Sequence, residues 1–64
     1  MKFTLSIDTD NAAFADDADR EIARILRATA NRITREGLSG FLETIHDENG
    51  NNVGRYGLDE PDNG

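Results

Sequence analysis

The chain contains no cysteine and a single histidine. Disulfides and thiolate metal ligands are therefore excluded as staples, and one imidazole cannot build a zinc site alone. No stretch approaches the roughly 18 consecutive apolar residues of a membrane span. Neither the charged nor the apolar segment of a signal peptide is recognisable, so the expected compartment is the cytoplasm. Basic residues are few as well: seven against thirteen acids, a formal net charge of −6 in 64 residues. That balance argues against binding to nucleic acid or to an anionic membrane, both of which need a basic surface. It favours solubility and, for any partner, a basic one. A chain this short buries only about 60% of the surface its unfolded form exposes. One domain, held by roughly a dozen apolar side chains or by those plus self-association, is what it can build.

Signatures of catalysis are also missing. There is no nucleophile–base pair and no glycine-rich phosphate loop leading into a helix. Paired carboxylates could do acid–base work only in a pocket that shifts their pKa values, and so small a fold offers none. A non-enzymatic binding protein without a cofactor is expected.

What is present is periodicity. From Lys2 to Asp8 the residues alternate, with Phe3, Leu5 and Ile7 to one side and Lys2, Thr4, Ser6 and Asp8 to the other, the pattern of a half-buried strand. Thr9 to Ala15 reads as a connection. Asp16 or Asp17 then supplies a side-chain oxygen for a helix start, with Asp19 in the first turn. Up to about Glu36 the spacing becomes helical: Ala18, Ile22, Ile25, Leu26, Thr29 and Ile33 fall on one stripe, and Ala12, Ala13 and Phe14 can cover its near end. Arg32 and Arg35 sit in the last turns, and Gly37 is placed to take the left-handed conformation that ends a helix. About 19 residues span roughly 28 Å, longer than the strand beside them.

From Gly40 the β period returns, through Phe41 to His46, and Asp47-Glu48-Asn49-Gly50 is the expected turn before a return strand from Val53 to about Leu58. Two registers compete. A two-residue Asn49-Gly50 turn sets Ile45 opposite Gly54 and Glu43 opposite Tyr56. A type I turn with Gly50 in a bulge sets Ile45 opposite Val53 and Glu43 opposite Arg55, and this second register is preferred because it matches apolar with apolar and acid with base. Gly54 and Gly57 suggest a further bulge that returns Tyr56 to the core. The expected core is Phe3, Leu5, Ile7, Phe14, Ile22, Ile25, Leu26, Ile33, Ile45, Val53, Tyr56 and Leu58. A lone hairpin is marginal in water, so the first strand must join it beside the last. The fold class expected is α+β: a two-layer β-α-β-β sandwich, its three-stranded antiparallel sheet in the order 2-3-1 with one long helix on one face. Residues 1–58 form the single domain, and 59–64 a flexible acidic tail.

The charges are unevenly placed. Arg20, Arg24, Arg27, Arg32 and Arg35 all lie on the helix, so the remainder is more acidic than the total implies. The expected topology brings the end of the first strand, the start of the helix and the hairpin tip to one pole. Asp8, Asp10, Asp16, Asp17, Asp19, Asp47 and Glu48 gather there, with Glu43, Asp59 and Glu60 as secondary candidates. Each has an ordinary local reading as a helix-start or turn residue. Their convergence costs stability through repulsion that salt only partly screens, and the pole is the expected partner-binding surface. Asp47 to Asn51 also has alternating oxygen donors like the start of a calcium loop. Asn52 stands where that loop needs glycine, however, and Leu58 where it needs a bidentate acid.

A surface with carboxylates a few ångströms apart can stand in for the phosphates of duplex DNA and occupy a basic groove with fast, salt-sensitive association. The runs Ile7-Asp8-Thr9-Asp10-Asn11-Ala12-Ala13-Phe14, Ile22-Ala23-Arg24-Ile25-Leu26 and Asp47-Glu48-Asn49-Gly50-Asn51-Asn52-Val53-Gly54 resemble small acidic proteins of phages and prophages. In size, acidity and one-helix, three-strand plan the chain is similar to anti-CRISPR inhibitors of the type I-C system. The resemblance implies action in the bacterial host cytoplasm, on the Cas8-type subunit of a surveillance complex. There such a protein blocks recognition of the protospacer-adjacent motif by imitating DNA. No contact residue carries over, and the basic stripe on the helix departs from a uniformly anionic mimic. The alternative is a phage or prophage accessory protein that binds another host factor, or that associates with itself through helix arginines and sheet acids. A weak carboxylate metal site is the third choice. A monomer or weak homodimer is expected.

Overall fold

The architecture comes from a computed structural model, which describes residues 1–38 and 42–59. Strand β1 runs Lys2–Ile7, a 3-10 turn covers Ala12–Phe14, helix α1 runs Ala18–Glu36, and strands β2 (Glu43–His46) and β3 (Asn52–Asp59) complete the chain. The three strands form one antiparallel sheet in the order β1-β3-β2, with α1 across one face. The topology is the expected one. The expected beginning of the second strand, at Gly40 and Phe41, and the tail from Glu60 onward lie outside the described residues. β3 itself continues through Asp59, which pairs with Lys2, one residue beyond the expected domain limit.

Helix α1 begins where its first orphan amides find an acceptor. Asp17, in an extended conformation, accepts a hydrogen bond from the Arg20 N–H at 3.1 Å, so Asp17 rather than Asp16 is the cap. The helix ends at Gly37, whose N–H donates to the Ile33 carbonyl at 2.7 Å. Gly37 has φ +78° but an extended ψ of −177°. The chain thus leaves the helix by a glycine-favoured route other than the expected left-handed one.

The buried line along the helix is Glu21, Ile25 and Thr29. Ile22 and Ile33 are half-buried on its flank, and Leu26 is 45% exposed. Leu26, expected in the core, lies on the edge of the stripe because the face against the sheet is centred on Ile25. The core is Phe14, Ile25, Ile45, Val53 and Tyr56, with Leu5, Ile7, Ala13, Ala18, Ile22, Ile33 and Leu38 packed around it. Phe3, also expected inside, is 46% exposed, although its ring lies tilted against Tyr56 with centroids 6.4 Å apart.

The hairpin combines the two expected registers. Its tip is the bulged one: Gly50 N–H donates to the Asp47 carbonyl at 3.0 Å, Asp47 N–H donates to the Asn51 carbonyl at 2.9 Å, and Gly50 has φ +85°. Further from the tip, Glu43 stands opposite Tyr56 and Ile45 opposite Gly54, which overturns the preferred pairing of Ile45 with Val53 and Glu43 with Arg55. A second irregularity, between Ile45 and His46, places the extra residue Val53 between these two zones. The bulge allows Val53, Ile45 and Tyr56 all to be buried, which a strict two-residue alternation forbids. Gly54 makes this possible. A Cβ there would overlap the Ser6 carbonyl oxygen and sit 3.1 Å from the Ile7 Cα, so β1 and β3 approach too closely for any other residue.

Candidate functional site

The end of β1, the start of α1 and the hairpin tip are held together by specific bonds. The Asp8 N–H donates to the Val53 carbonyl at 2.7 Å, tying the end of β1 to the base of the tip. The Glu48 N–H donates to the Glu21 carboxylate at 2.9 Å, tying the tip to the first turn of α1.

Glu21 is the centre of this arrangement, and it is not among the acids singled out from the sequence. It is 4% exposed. Arg24, one helical turn on, donates to it from two nitrogens at 2.8 and 2.7 Å, a fork geometry suited to a carboxylate. The Arg24 hydrogen bonds lower the Glu21 pKa, burial opposes them, and the Glu48 amide adds to the lowering; the net shift is down. The same pairing raises the Arg24 pKa. The sequence signal was available. Glu21 precedes Ile25 by four residues, so it belongs to the buried line, but an acid in a first turn reads equally well as a partner for the helix dipole.

Asp47 is also turned inward. It is 5% exposed, and its carboxylate accepts from the Asn49 N–H (2.9 Å), the Asn51 N–H (2.8 Å) and the Asn51 side-chain amide (3.3 Å). Burial pushes its pKa up, the Asn51 backbone and side-chain bonds and the Asn49 amide pull it down, and the net shift is down. This placement corrects one expectation. Asp47 does not present a free carboxylate to a partner, because the turn amides already hold it. The segment from Asp47 is the expected hairpin turn, and from Asn52 the chain is strand β3. Among the described residues no three His, Asp or Glu side chains are grouped to hold a metal ion.

The other expected pole residues, Asp8, Asp10, Asp16, Asp17, Asp19 and Glu48, are all exposed. All but Asp19 fall into two groups. Asp8 and Asp10 border a concavity of about 150 Å³ with Asn11, Asn52 and Val53, and Asp8 accepts from the Asp10 N–H at 3.0 Å. Asp16, Asp17 and Glu48 border a wider groove of about 610 Å³ with Glu21, Arg20, Arg24 and Arg27. Four acids face three arginines there, so the second group is of mixed charge and the first is purely acidic. Glu43 lies away from the pole, where its carboxylate accepts from Arg32 at 3.0 Å. That arginine also stands 5.9 Å over the Tyr56 ring and joins the far half of α1 to β2. Asp59 is the last residue of β3, and Glu60 lies outside the described residues.

The geometry defines a small α+β fold in which exposed carboxylates on three chain segments gather at one end. Comparison with protein-family models, with curated proteins and with solved structures gives no match.

Proposed function

We propose that this is a binding protein whose acidic end occupies a basic, nucleic-acid-binding surface of another protein. The observation that carries the reading is the exposure of Asp8, Asp10, Asp16, Asp17, Asp19 and Glu48 on three chain segments that hydrogen bonds gather at one end. Scaffolding by Glu21 and Asp47 supports it, because two inward carboxylates fix the segments that carry the outward ones. Such preorganisation lowers the entropic cost of binding, and clustered negative charge accelerates encounter with a basic groove.

The particular partner proposed is the Cas8-type subunit of a type I surveillance complex, with the protein acting as an anti-CRISPR that imitates DNA where the protospacer-adjacent motif is read. This rests on the resemblance to small phage proteins together with the acidic end. The arginines bordering the wider groove leave the Asp8–Asp10 group as the strongest phosphate imitator.

Binding to a purified type I-C complex, followed across a salt series, tests the proposal. The expected result is saturable binding that weakens steeply as salt rises and competes with target DNA. Reversal of Asp10, Asp16, Asp19 and Glu48 to lysine should abolish it. Absence of binding, or binding indifferent to the four reversals, overturns the proposal.

A further inference from the structure

We infer that the free edge of β1 is a self-association surface: a second copy pairs with it antiparallel, across a two-fold axis at Leu5, and the two sheets become one. Both outer strands of a β1-β3-β2 sheet expose unpaired backbone groups, and folded proteins normally protect such edges with charge, bulges or covering groups. The β2 edge is protected. It is four residues long, it borders the bulge, and the Arg32 guanidinium reaches its Glu43 carboxylate at 3.0 Å and its Thr44 carbonyl at 3.5 Å. Among the described residues the β1 edge has no such guard. It is six residues long, pairs with β3 without any shift in register, and contains neither proline nor a charge between Lys2 and Asp8.

The orientation of the backbone selects a register. The Asp8 N–H points to β3, where it meets the Val53 carbonyl. By the alternation of an antiparallel strand, Ser6, Thr4 and Lys2 also bond inward, so the N–H and C=O groups of Phe3, Leu5 and Ile7 point outward. Setting Leu5 opposite Leu5 of the second copy places Phe3 opposite Ile7. All three outward-pointing residues then find full partners of matching parity.

Charge complementarity separates this register from its neighbours. With Leu5 on the axis, Lys2 of each copy lies opposite Asp8 of the other and Thr4 opposite Ser6, at the closer, non-hydrogen-bonded positions. A shift by two residues keeps the backbone parity but sets Lys2 opposite Ser6, or Asp8 opposite Thr4. Among the described side chains none forms an ion pair with Asp8.

The apolar face agrees. Arg24, Ala28 and Arg32 border the groove between α1 and β2, so the opposite flank of the helix, carrying Ile22, Leu26 and Ile33, lies on the β1 side. Phe3 remains 46% exposed and Leu26 45%. A second copy on the β1 edge would cover this flank.

Sedimentation equilibrium of the full chain, with amide hydrogen exchange at several concentrations, tests the inference. The expected result is a reversible dimer whose formation slows exchange at Phe3, Leu5 and Ile7 and leaves Thr44 and His46 unchanged. Lys2→Glu sets like charges opposite one another at both ends of the pairing and should weaken the dimer roughly tenfold, and the swap Lys2→Glu with Asp8→Lys should restore most of the loss. Three results would each overturn it: a monomer at every concentration, slowed exchange on the β2 edge instead, or a swap no stronger than Lys2→Glu alone. The exchange pattern of the unaltered protein decides the matter even if a variant folds poorly.

Discussion

Gly54→Ala is the sharpest perturbation of the fold, and its size follows from one contact. The added Cβ would overlap the Ser6 carbonyl oxygen, a backbone atom of the paired strand that no side-chain rotation can remove. Relief requires β1 to move away from β3 next to the Ser6–Arg55 pairing. Overpacking of this kind costs about 1–3 kcal/mol, and weakening one ladder hydrogen bond adds about 0.5–1.5 kcal/mol. A loss of about 2–4 kcal/mol is a large part of the roughly 3–10 kcal/mol available to a 64-residue domain. It corresponds to a fall in Tm of roughly 8–30 °C. Gly50→Ala is the control. Nothing lies within 4 Å of a Cβ there, but φ is +85°, so the cost is backbone strain of about 1–2 kcal/mol with no effect on β1. Thermal and urea denaturation followed by circular dichroism measures both, and amide exchange at Asp8 reports the β1–β3 seam. If Gly54→Ala proves no more harmful than Gly50→Ala and leaves the Asp8 amide protected, the close approach of these strands is wrong.

Two further expectations concern neighbouring side chains and pH. Ile25→Ala, in the centre of the core, should cost about 2–5 kcal/mol. Leu26→Ala, at a side chain 45% exposed, should cost under about 1 kcal/mol; equal losses in urea titrations would place the helix face elsewhere. Glu21 and Asp47 both have pKa values lowered by folding, so the stability they confer is fully present above about pH 5 and is lost as pH falls through their folded values. Melting temperature should therefore drop in acid. Glu21→Gln should lower Tm at neutral pH and flatten the acid dependence, and an unchanged acid slope would refute the role assigned to Glu21.

Strict alternation in β1, the aspartate cap and the glycine stop of α1, and the Asn-Gly tip are local signals, and each element stands where they placed it. The strand order followed from the need to give a lone hairpin a third partner. Features that depend on how elements meet were less legible. Leu26 was expected inside because the stripe was centred on the aliphatic residues, whereas packing centred it on Ile25 and drew in Glu21 and Thr29. The further bulge was expected at Gly54 and Gly57; it lies one residue earlier, at Val53, and recovers the other register beyond it. Asp47 looks like any turn acid until the turn is folded and its own amides converge on the carboxylate. In the same way, Glu21 has a partner in Arg24 that spacing suggests, but the Glu48 amide reaches it from far along the chain.

Asp47 is held by backbone and side-chain N–H groups of its own turn, and these bonds lower its pKa against burial. Short dipolar contacts of this kind are little affected by dissolved ions, whereas attraction between exposed charges on separate molecules fades with ionic strength. Folding of the tip and long-range attraction to a basic surface therefore answer to different variables. Salt can be raised to release a partner while the tip keeps its shape, so release by salt would report the contact itself rather than a loss of structure.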